Sequence, residues 1–160
     1  MPSPEIKVLL QVIDQAYNRK SWHGTNLRGS LRNVTAEEAA LRPEPGRHNI
    51  WELVVHAAYW KYIVHRRLAE APAGSFALKG SNWFSRPQEA TPAAWKRDVA
   101  LLDDIHQSLR LAIAKLSPKA LPRKPAGSKV SNLALITGIA AHDLYHAGQI
   151  QLLKRLIRPT

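Results

Sequence analysis

The sequence contains no cysteine among its 160 residues. This absence excludes disulfide bonds, thiolate metal sites and a cysteine nucleophile, so any metal ion would have to be bound by histidine, aspartate or glutamate. The chain also lacks an unbroken apolar run of about 18 residues, the length that a membrane-spanning helix needs. Its first residues, MPSPEIKVLLQVIDQ, carry charges inside the apolar pattern and show no small-residue cleavage site, unlike a signal peptide. We therefore expect a soluble, cytoplasmic protein with no membrane contact.

Basic residues are in excess, but they are spread along the chain. Lysine and arginine number 23, against 12 aspartates and glutamates, which gives a formal net charge of +11. Such a charge attracts phosphates and other anions. The sequence nevertheless contains no run of five basic residues and no helix-turn-helix, RRM or KH signature. We therefore expect solvated basic faces and an anionic substrate or cosubstrate, in preference to nucleic-acid binding.

The length and the apolar content fit one domain spanning residues 1–160. With 45% apolar residues, the chain can bury a core of ordinary size. Apolar residues recur at helical spacing in four long segments, and no segment alternates with the period of a strand. The pattern predicts an all-α four-helix bundle. The predicted helices run from Pro4 to about Leu31, from about Asn49 to Glu70, from Thr91 to Leu116 and from Ser131 to about Ile157.

Two shorter segments also carry local structural signals, one for a short helix and one for a loop. Thr35-Ala36-Glu37-Glu38 is a capping box, which predicts a short helical turn that ends at the proline-rich residues 42–46. Residues 71–90 contain several glycines and prolines and no sustained period, which predicts a loop with at most one turn of helix. A loop of this length in a compact domain is often functional.

The segment HDLYHAGQIQLLKR, residues 142–155, places His142 and His146 four positions apart on the last predicted helix. Positions i and i+4 lie on the same helix face, so both rings can reach one ion. The same face continues mostly through apolar residues, which directs the pair toward the core. Two interpretations stay open for the pair alone: buried histidines with ordinary hydrogen bonds, or a metal site.

The motif HDLYH partly resembles the HExxH motif of zincins, in which the acid serves as general base. Zincins take a third ligand downstream, whereas the 14 residues after His146 include no histidine, aspartate, glutamate or cysteine. A third protein ligand must therefore come from upstream. His56 is the candidate, because the face of its predicted helix is largely apolar and can lie opposite His142 and His146 in a bundle.

The other four histidines show no comparable pattern. His65 lies beside two arginines and is predicted to be solvent-exposed. His106 follows two aspartates and is predicted to lie on the surface. His48 lies in a loop, and His23, between Trp22 and a glycine, is ambiguous.

Three imidazoles define the chemistry of the predicted site. Around one divalent ion they leave a position open for water or substrate, as in catalytic rather than structural sites. Zn(II) fits three nitrogen ligands, and Ni(II) is its nearest competitor.

Two of the predicted helices resemble a known family. The segment GIAAHDLYHAGQIQLLKRL resembles the last helix of the DinB/YfiT-like metalloenzymes, and HNIWELVVHAAYWKYIVHRRL resembles their second helix, with an aromatic residue five places ahead of the histidine. SWHGTNL, RPEPGRHNIWELV and SNWFSRP match one branch of that family in order, so the resemblance covers nearly the whole chain. It implies an up-down-down-up four-helix bundle, usually a homodimer, in which His56, His142 and His146 bind a divalent ion.

The resemblance also implies a range of activities. Characterised members of the family include thiol S-transferases, a thiol-dependent maleylpyruvate isomerase and proteins described as metal-dependent hydrolases. We therefore expect a thiol-dependent S-transferase or a hydrolase acting on a small molecule, and the absence of cysteine agrees with an external low-molecular-weight thiol. The alternative is a non-catalytic metal-binding stress-response protein, with nucleic-acid binding as a more distant one.

Residues near the predicted ligands are candidates for supporting roles. Asp143 and Glu52 are candidate proton-transfer or supporting groups, since each lies close in sequence to a predicted ligand. For Asp143, a hydrogen bond between helices is the favoured alternative. His23 and Trp83 are candidate pocket residues, although packing within the bundle is equally open for the tryptophans at 22 and 83.

Overall fold

Helices account for the regular secondary structure of residues 1–70 and 74–158, the part of the chain that the computed structural model describes. No strand occurs in this part, so the all-α prediction is confirmed. None of the helices described is both long enough and apolar enough to cross a membrane. The helices are α1 (Pro4–Tyr17), α2 (Leu27–Ser30), α3 (Ala36–Ala40), α4 (Ile50–Leu68), α5 (Pro92–Ala114) and α6 (Asn132–Ile157), with a 3₁₀ helix at Pro118–Ala120.

The four long helices start where their capping residues predict. At each start, a polar side chain accepts a hydrogen bond from a backbone N–H three residues further on, which satisfies a donor that the first turn leaves free. Proline occupies the first turn of α1 and α5, where its missing N–H does not interrupt the helix. The capping residues are Ser3, Asn49, Thr91 and Ser131.

The predicted extent of the first helix is wrong, because α1 ends at Tyr17 and not near Leu31. Gly24 has a φ of +97°, a left-handed conformation that a helix cannot contain, and the chain turns there. Asn26 then caps the separate helix α2, since its side chain accepts a hydrogen bond from a backbone N–H of α2 at 2.8 Å. The turn leaves Trp22 fully exposed.

The two shorter segments follow their predictions. Thr35 opens α3 through a complete capping box: its backbone N–H donates to the Glu38 carboxylate at 3.1 Å, and its hydroxyl accepts from the Glu38 N–H at 3.2 Å. Residues 74–91, between α4 and α5, contain no helix, as predicted for this loop. Residues 71–73 of the predicted loop lie outside the described part of the chain.

The long helices pack so that α4 contacts the helix that carries His142 and His146. α4 packs against both α5 and α6, and α1 packs against the same two helices. Trp51 of α4 is fully buried and donates from Nε1 to the carboxylate of Asp98 on α5 at 2.7 Å. The contact between α4 and α6 brings together the two helices that carry the predicted metal ligands.

Candidate metal centre

Three histidines converge where α4 meets α6. α4 contributes His56, and α6 contributes His142 and His146, one helical turn apart. Nε2 of His142 lies 3.2 Å from Nε2 of His56 and 3.0 Å from Nε2 of His146. One nitrogen from each ring lies within 4.8 Å of the others. We call these residues the three-histidine cluster; they are the residues that the sequence predicts as ligands.

Hydrogen bonds on the far side of the rings orient two of the histidines. Nδ1 of His56 lies 2.8 Å from the backbone carbonyl oxygen of Asn82, and Nδ1 of His146 lies 2.6 Å from the side-chain oxygen of Gln149. Because a carbonyl oxygen can only accept, each Nδ1 carries the proton and each Nε2 presents a lone pair to the cluster. Metal-binding histidines are oriented by outer hydrogen bonds of the same kind.

All three rings are held in the neutral form that binds metal ions. Burial lowers the pKa of His56 to about 4 and that of His142 to about 3, and it also lowers the pKa of His146. The neighbouring imidazoles of the cluster add to the shift of His142. At pH 7 the cluster therefore offers nitrogen lone pairs rather than positive charge.

Two of the three nitrogen separations in the cluster match those around one small divalent ion. Nitrogen ligands at about 2.0–2.1 Å from a tetrahedral ion lie about 3.3 Å from one another. The separations of 3.0 and 3.2 Å, both measured from His142, are close to that value, and the nitrogens of His56 and His146 lie within 4.8 Å of each other. Nδ1 of His142 is buried and has no hydrogen-bond partner among the described residues, so this ring is less constrained than the other two.

An aromatic stack covers the His56 side of the cluster. The indole of Trp83 lies parallel to the His56 ring with the ring centroids 3.8 Å apart, and its other face stacks on His48 at 3.6 Å. Asn82 holds this segment on α4, because its side-chain oxygen accepts a hydrogen bond from Nε1 of Trp60 at 2.9 Å. Trp83 therefore lies directly against a histidine of the cluster.

A cavity of about 620 Å³ opens beside the cluster. This volume falls within the range of small-molecule sites. His146, Gln149 and Trp83 line the cavity, and leucines of α4 and α6 form much of the remaining wall. A small molecule can therefore approach the cluster from the His146 side.

A model of a known protein family matches the part of the chain that contains the cluster. A model described as the DinB superfamily matches residues 20–150 of the chain, which include all three histidines. The chain belongs to the DinB superfamily. The resemblance seen in the sequence is thereby confirmed, and no significant match was found among curated proteins or solved structures. DinB membership and the cluster are together compatible with metal binding, but a fold family does not specify a reaction.

In this DinB protein, Glu52 bonds to loop residues rather than to the cluster. Arg42 donates to its carboxylate at 2.5 and 3.0 Å, and Nδ1 of His48 donates at 2.9 Å. Burial disfavours the charged carboxylate, but the hydrogen bonds from Arg42 and His48 outweigh burial and hold the pKa of Glu52 below its usual value. Glu52 therefore reaches the cluster only indirectly, through the His48 ring that stacks on Trp83.

Asp143 bonds to a neighbouring helix. Its Oδ2 accepts a hydrogen bond from Nζ of Lys61 on α4 at 2.5 Å, and both side chains are fully buried. Burial raises the pKa of Asp143 and lowers that of Lys61, while the attraction between the two charges opposes both shifts. This contact is the bond between helices that was favoured for Asp143 from the sequence.

The prediction that His106 lies on the surface is wrong, because this residue is only 3% exposed. Its ring stacks on Tyr17 with the centroids 3.6 Å apart, and its Nδ1 lies 3.2 Å from Nζ of Lys61. Lys61 therefore joins Asp143 and His106 in one buried polar group, which the sequence did not predict.

The two remaining histidines lie outside the cluster. His23 is exposed in the turn after α1, with its Nδ1 3.1 Å from the hydroxyl oxygen of Ser21. It does not line the cavity beside the cluster, so the pocket role considered for it gains no support. His65, expected to be exposed, is half-buried near the end of α4.

Acid is expected to destabilise the metal-free protein in part through His106. Burial, reinforced by the charges of Lys61 and Arg110, lowers the pKa of His106 to about 2, below the value of about 6.5 in an unfolded chain. The stability that this neutral ring contributes is complete above about pH 6.5. It falls with pH below that value by up to about 1.4 kcal/mol per pH unit, because the unfolded state binds one more proton.

Urea unfolding of the metal-free protein at pH 7, 6 and 5 measures this dependence. His106→Gln should lose stability less steeply between pH 6 and pH 5 than the wild type does. His23→Gln, a substitution of an exposed histidine, should keep the wild-type slope. Equal slopes for His106→Gln and the wild type would contradict the prediction.

Proposed function

We propose that this DinB protein is a metal-dependent enzyme acting on a small molecule, either as an S-transferase that uses a low-molecular-weight thiol or as a hydrolase. The observation that carries the proposal is the convergence of three neutral imidazoles beside a cavity. His56, His142 and His146 would hold the ion, and their nitrogen ligands favour Zn(II) or Ni(II). When bound by three protein ligands, such an ion supplies an open position at which a thiol or water has a lowered pKa.

The surrounding residues support the proposal by keeping the cluster ready to bind. Asn82 and Gln149 accept hydrogen bonds from the Nδ1 atoms of two rings, so the Nε2 atoms of those rings face the cluster. Trp83 covers one face of His56 and excludes water from it. Because the chain has no cysteine, a thiol would enter from solution through the cavity.

Proton transfer in the proposed reaction is assigned to His48. Of the two acids considered from the sequence, Asp143 is bonded to Lys61, and Glu52 accepts a hydrogen bond from Nδ1 of His48. A carboxylate that binds one ring nitrogen orients the imidazole and favours its action as a general base. His48 also lines the cavity, so its ring can meet a bound substrate. Glu52 is then a positioning residue for His48.

For the arrangement of the long helices we propose the up-down-down-up four-helix bundle that the family resemblance implies. Supporting it, each long helix packs against two others. The homodimer and the cytoplasmic location stay predictions.

Metal analysis of the full chain, purified without a histidine tag, is expected to find about one divalent ion per chain. His142→Ala removes one of the three nitrogens and should weaken zinc binding at least roughly 100-fold, the upper end of the loss caused by removing an outer hydrogen-bond partner. Equilibrium dialysis against zinc measures both the stoichiometry and the affinity.

His23→Ala serves as the matched control, because His23 is exposed and outside the cluster. It should bind zinc as the wild type does. A wild-type stoichiometry far below one, or an equal loss in His23→Ala, would contradict the proposal. With metal bound, incubation with small thiols and a halogenated aromatic electrophile separates an S-transferase from a non-catalytic metal-binding protein.

A further inference from the structure

The cavity beside the cluster is an elongated groove along α6. It extends from His146 to Leu156, a helix length of about 15 Å. One helix face carries His142, His146, Gln149, Leu153 and Leu156, because these positions follow one another at spacings of three or four residues. The groove is therefore a continuation of the face that carries two of the candidate metal ligands.

Leucine side chains form the walls of the groove. Leu53 of α4 is only 3% exposed and closes its inner side, whereas Leu152 and Leu156 are 60% and 63% exposed on α6. Tyr145 adds a further large side chain that is mostly exposed. Removing apolar surface from water is favourable, so an apolar ligand lying against these residues would be stabilised.

The opposite wall of the groove offers no net charge. Pro43, Glu44, Arg47 and His48 belong to it, and Nε of Arg47 lies 4.0 Å from the carboxylate of Glu44. The two charges offset each other, so this wall does not select an anion or a cation. Polar groups are concentrated instead at the end of the groove near the cluster, where His48, His146 and Gln149 lie.

We infer that the groove binds an uncharged alkyl or aryl chain of a substrate whose reactive group reaches the three-histidine cluster. The inference rests on the proposed metal site and names the substrate class for it. A volume of about 620 Å³ accommodates such a chain, since small-molecule sites range from about 300 to 1,000 Å³. A substrate without the chain would leave the leucines of α6 in water.

Binding of alkyl hydroxamates to the zinc-loaded full chain tests the inference. The hydroxamate head chelates zinc, and the series from acetohydroxamate through butano- and hexano- to octanohydroxamate lengthens only the apolar chain. Isothermal titration calorimetry should show the affinity rising about two- to four-fold for each added methylene, as partial to full burial of a methylene predicts.

Variants of two groove leucines test whether the alkyl chain of the hydroxamate lies in the groove. Leu156→Gln and Leu152→Gln should each weaken octanohydroxamate binding several-fold and leave acetohydroxamate binding unchanged. Both residues are more than half exposed, so the polar replacements should fold. Leu111→Gln is the matched control, because Leu111 is a half-exposed leucine of α5 that does not line the groove, and it should change neither affinity.

The outcomes separate the groove from the metal site. If the protein binds zinc and acetohydroxamate but its affinity does not rise with chain length, the groove inference is overturned while the proposed metal site stands. If zinc itself does not bind, both are overturned. If chain length has no effect and Leu156→Gln converts a dimer to a monomer, a second copy of the chain covers the leucines and the groove inference is again overturned.

Discussion

Replacing Lys61 with alanine is expected to lower the free energy of unfolding by about 3–5 kcal/mol, because it leaves a buried carboxylate without its charge partner. Lys61 and Asp143 are fully buried, and their charged atoms lie 2.5 Å apart. Oδ1 of Asp143 has no hydrogen-bond partner among the residues that the structure describes, so Lys61 carries most of its stabilisation. Urea unfolding at pH 7 measures the change, which is a large part of the 5–15 kcal/mol typical of a domain.

The double variant Lys61→Met/Asp143→Leu distinguishes a lost charge pair from a lost packing contact. Replacing both charges by apolar side chains of similar size is often neutral or stabilising, so the double variant should be more stable than Lys61→Ala. It should stay about 1–3 kcal/mol below the wild type, because Nδ1 of the buried His106 loses Lys61 as its hydrogen-bond partner. Lys96→Ala, at an exposed position of α5, should change stability by less than about 0.5 kcal/mol. If Lys61→Ala were as stable as Lys96→Ala, loss of Lys61 would not leave an uncompensated charge on Asp143, and the prediction would be wrong.

The buried polar group around Lys61 carried a signal in the sequence. His106 follows Leu102 and precedes Leu109 and Ile113 at spacings of four, three and seven residues, which places it on the apolar face of α5. The two aspartates that precede His106 along the chain suggest a surface position instead. On a helix the periodicity decides burial, because adjacent residues face different sides. Lys61 lies within an apolar face of α4 in the same way.

Helix positions followed from local chemistry, and so most of them could be predicted. A cap such as Ser3 or Thr91 acts within its own turn, so no distant contact is needed to place the helix start. The break after α1 also had a local signal, in Gly24 and the capping residue Asn26. The apolar period also stops there, because Trp22 is the only apolar residue between Tyr17 and Leu27, so a single helix to Leu31 overlooked both signals.

The three-histidine cluster could be predicted because its members lie on the faces of two long helices. The residues that accept hydrogen bonds from the cluster were not equally predictable from the sequence. Gln149 shares the helix face of His146, three residues away, so their contact follows from helical spacing. Asn82 belongs to a loop without periodicity, and only the folded chain brings its carbonyl to His56. The stack of Trp83 between two imidazoles depends on the same loop.

Replacing Asp98 with alanine is expected to destabilise the protein by about 3–5 kcal/mol and also to weaken zinc binding about 10-fold or more. Asp98 of α5 accepts hydrogen bonds from Nε of Arg86 at 2.8 Å and from Nε1 of Trp51. Arg86 is buried, and its backbone carbonyl accepts from the side chain of Asn49 at the start of α4 at 2.8 Å. Without Asp98 the Arg86 guanidinium would stay buried with no carboxylate to balance its charge.

The expected loss of zinc affinity follows from the position of Arg86 in the sequence. It is three residues after Trp83 and four after Asn82, the residues that contact His56, so its ion pair with Asp98 anchors the segment that orients this ring. Asp98→Asn should keep an acceptor for Trp51 but lose the charge, giving a smaller loss of stability than Asp98→Ala. Asp104→Ala, at an exposed position of α5, should alter neither stability nor zinc affinity.

Urea unfolding and zinc dialysis on the same variants separate the two roles of this ion pair. If Asp98→Ala is destabilised but binds zinc with wild-type affinity, the position of Asn82 and Trp83 does not depend on the pair. If both quantities fall, the buried pair between the loop and α5 supports the orientation of His56. The contact that stabilises the fold would then also be the one that holds a candidate ligand in its binding position, which ties metal affinity to a residue outside the cluster.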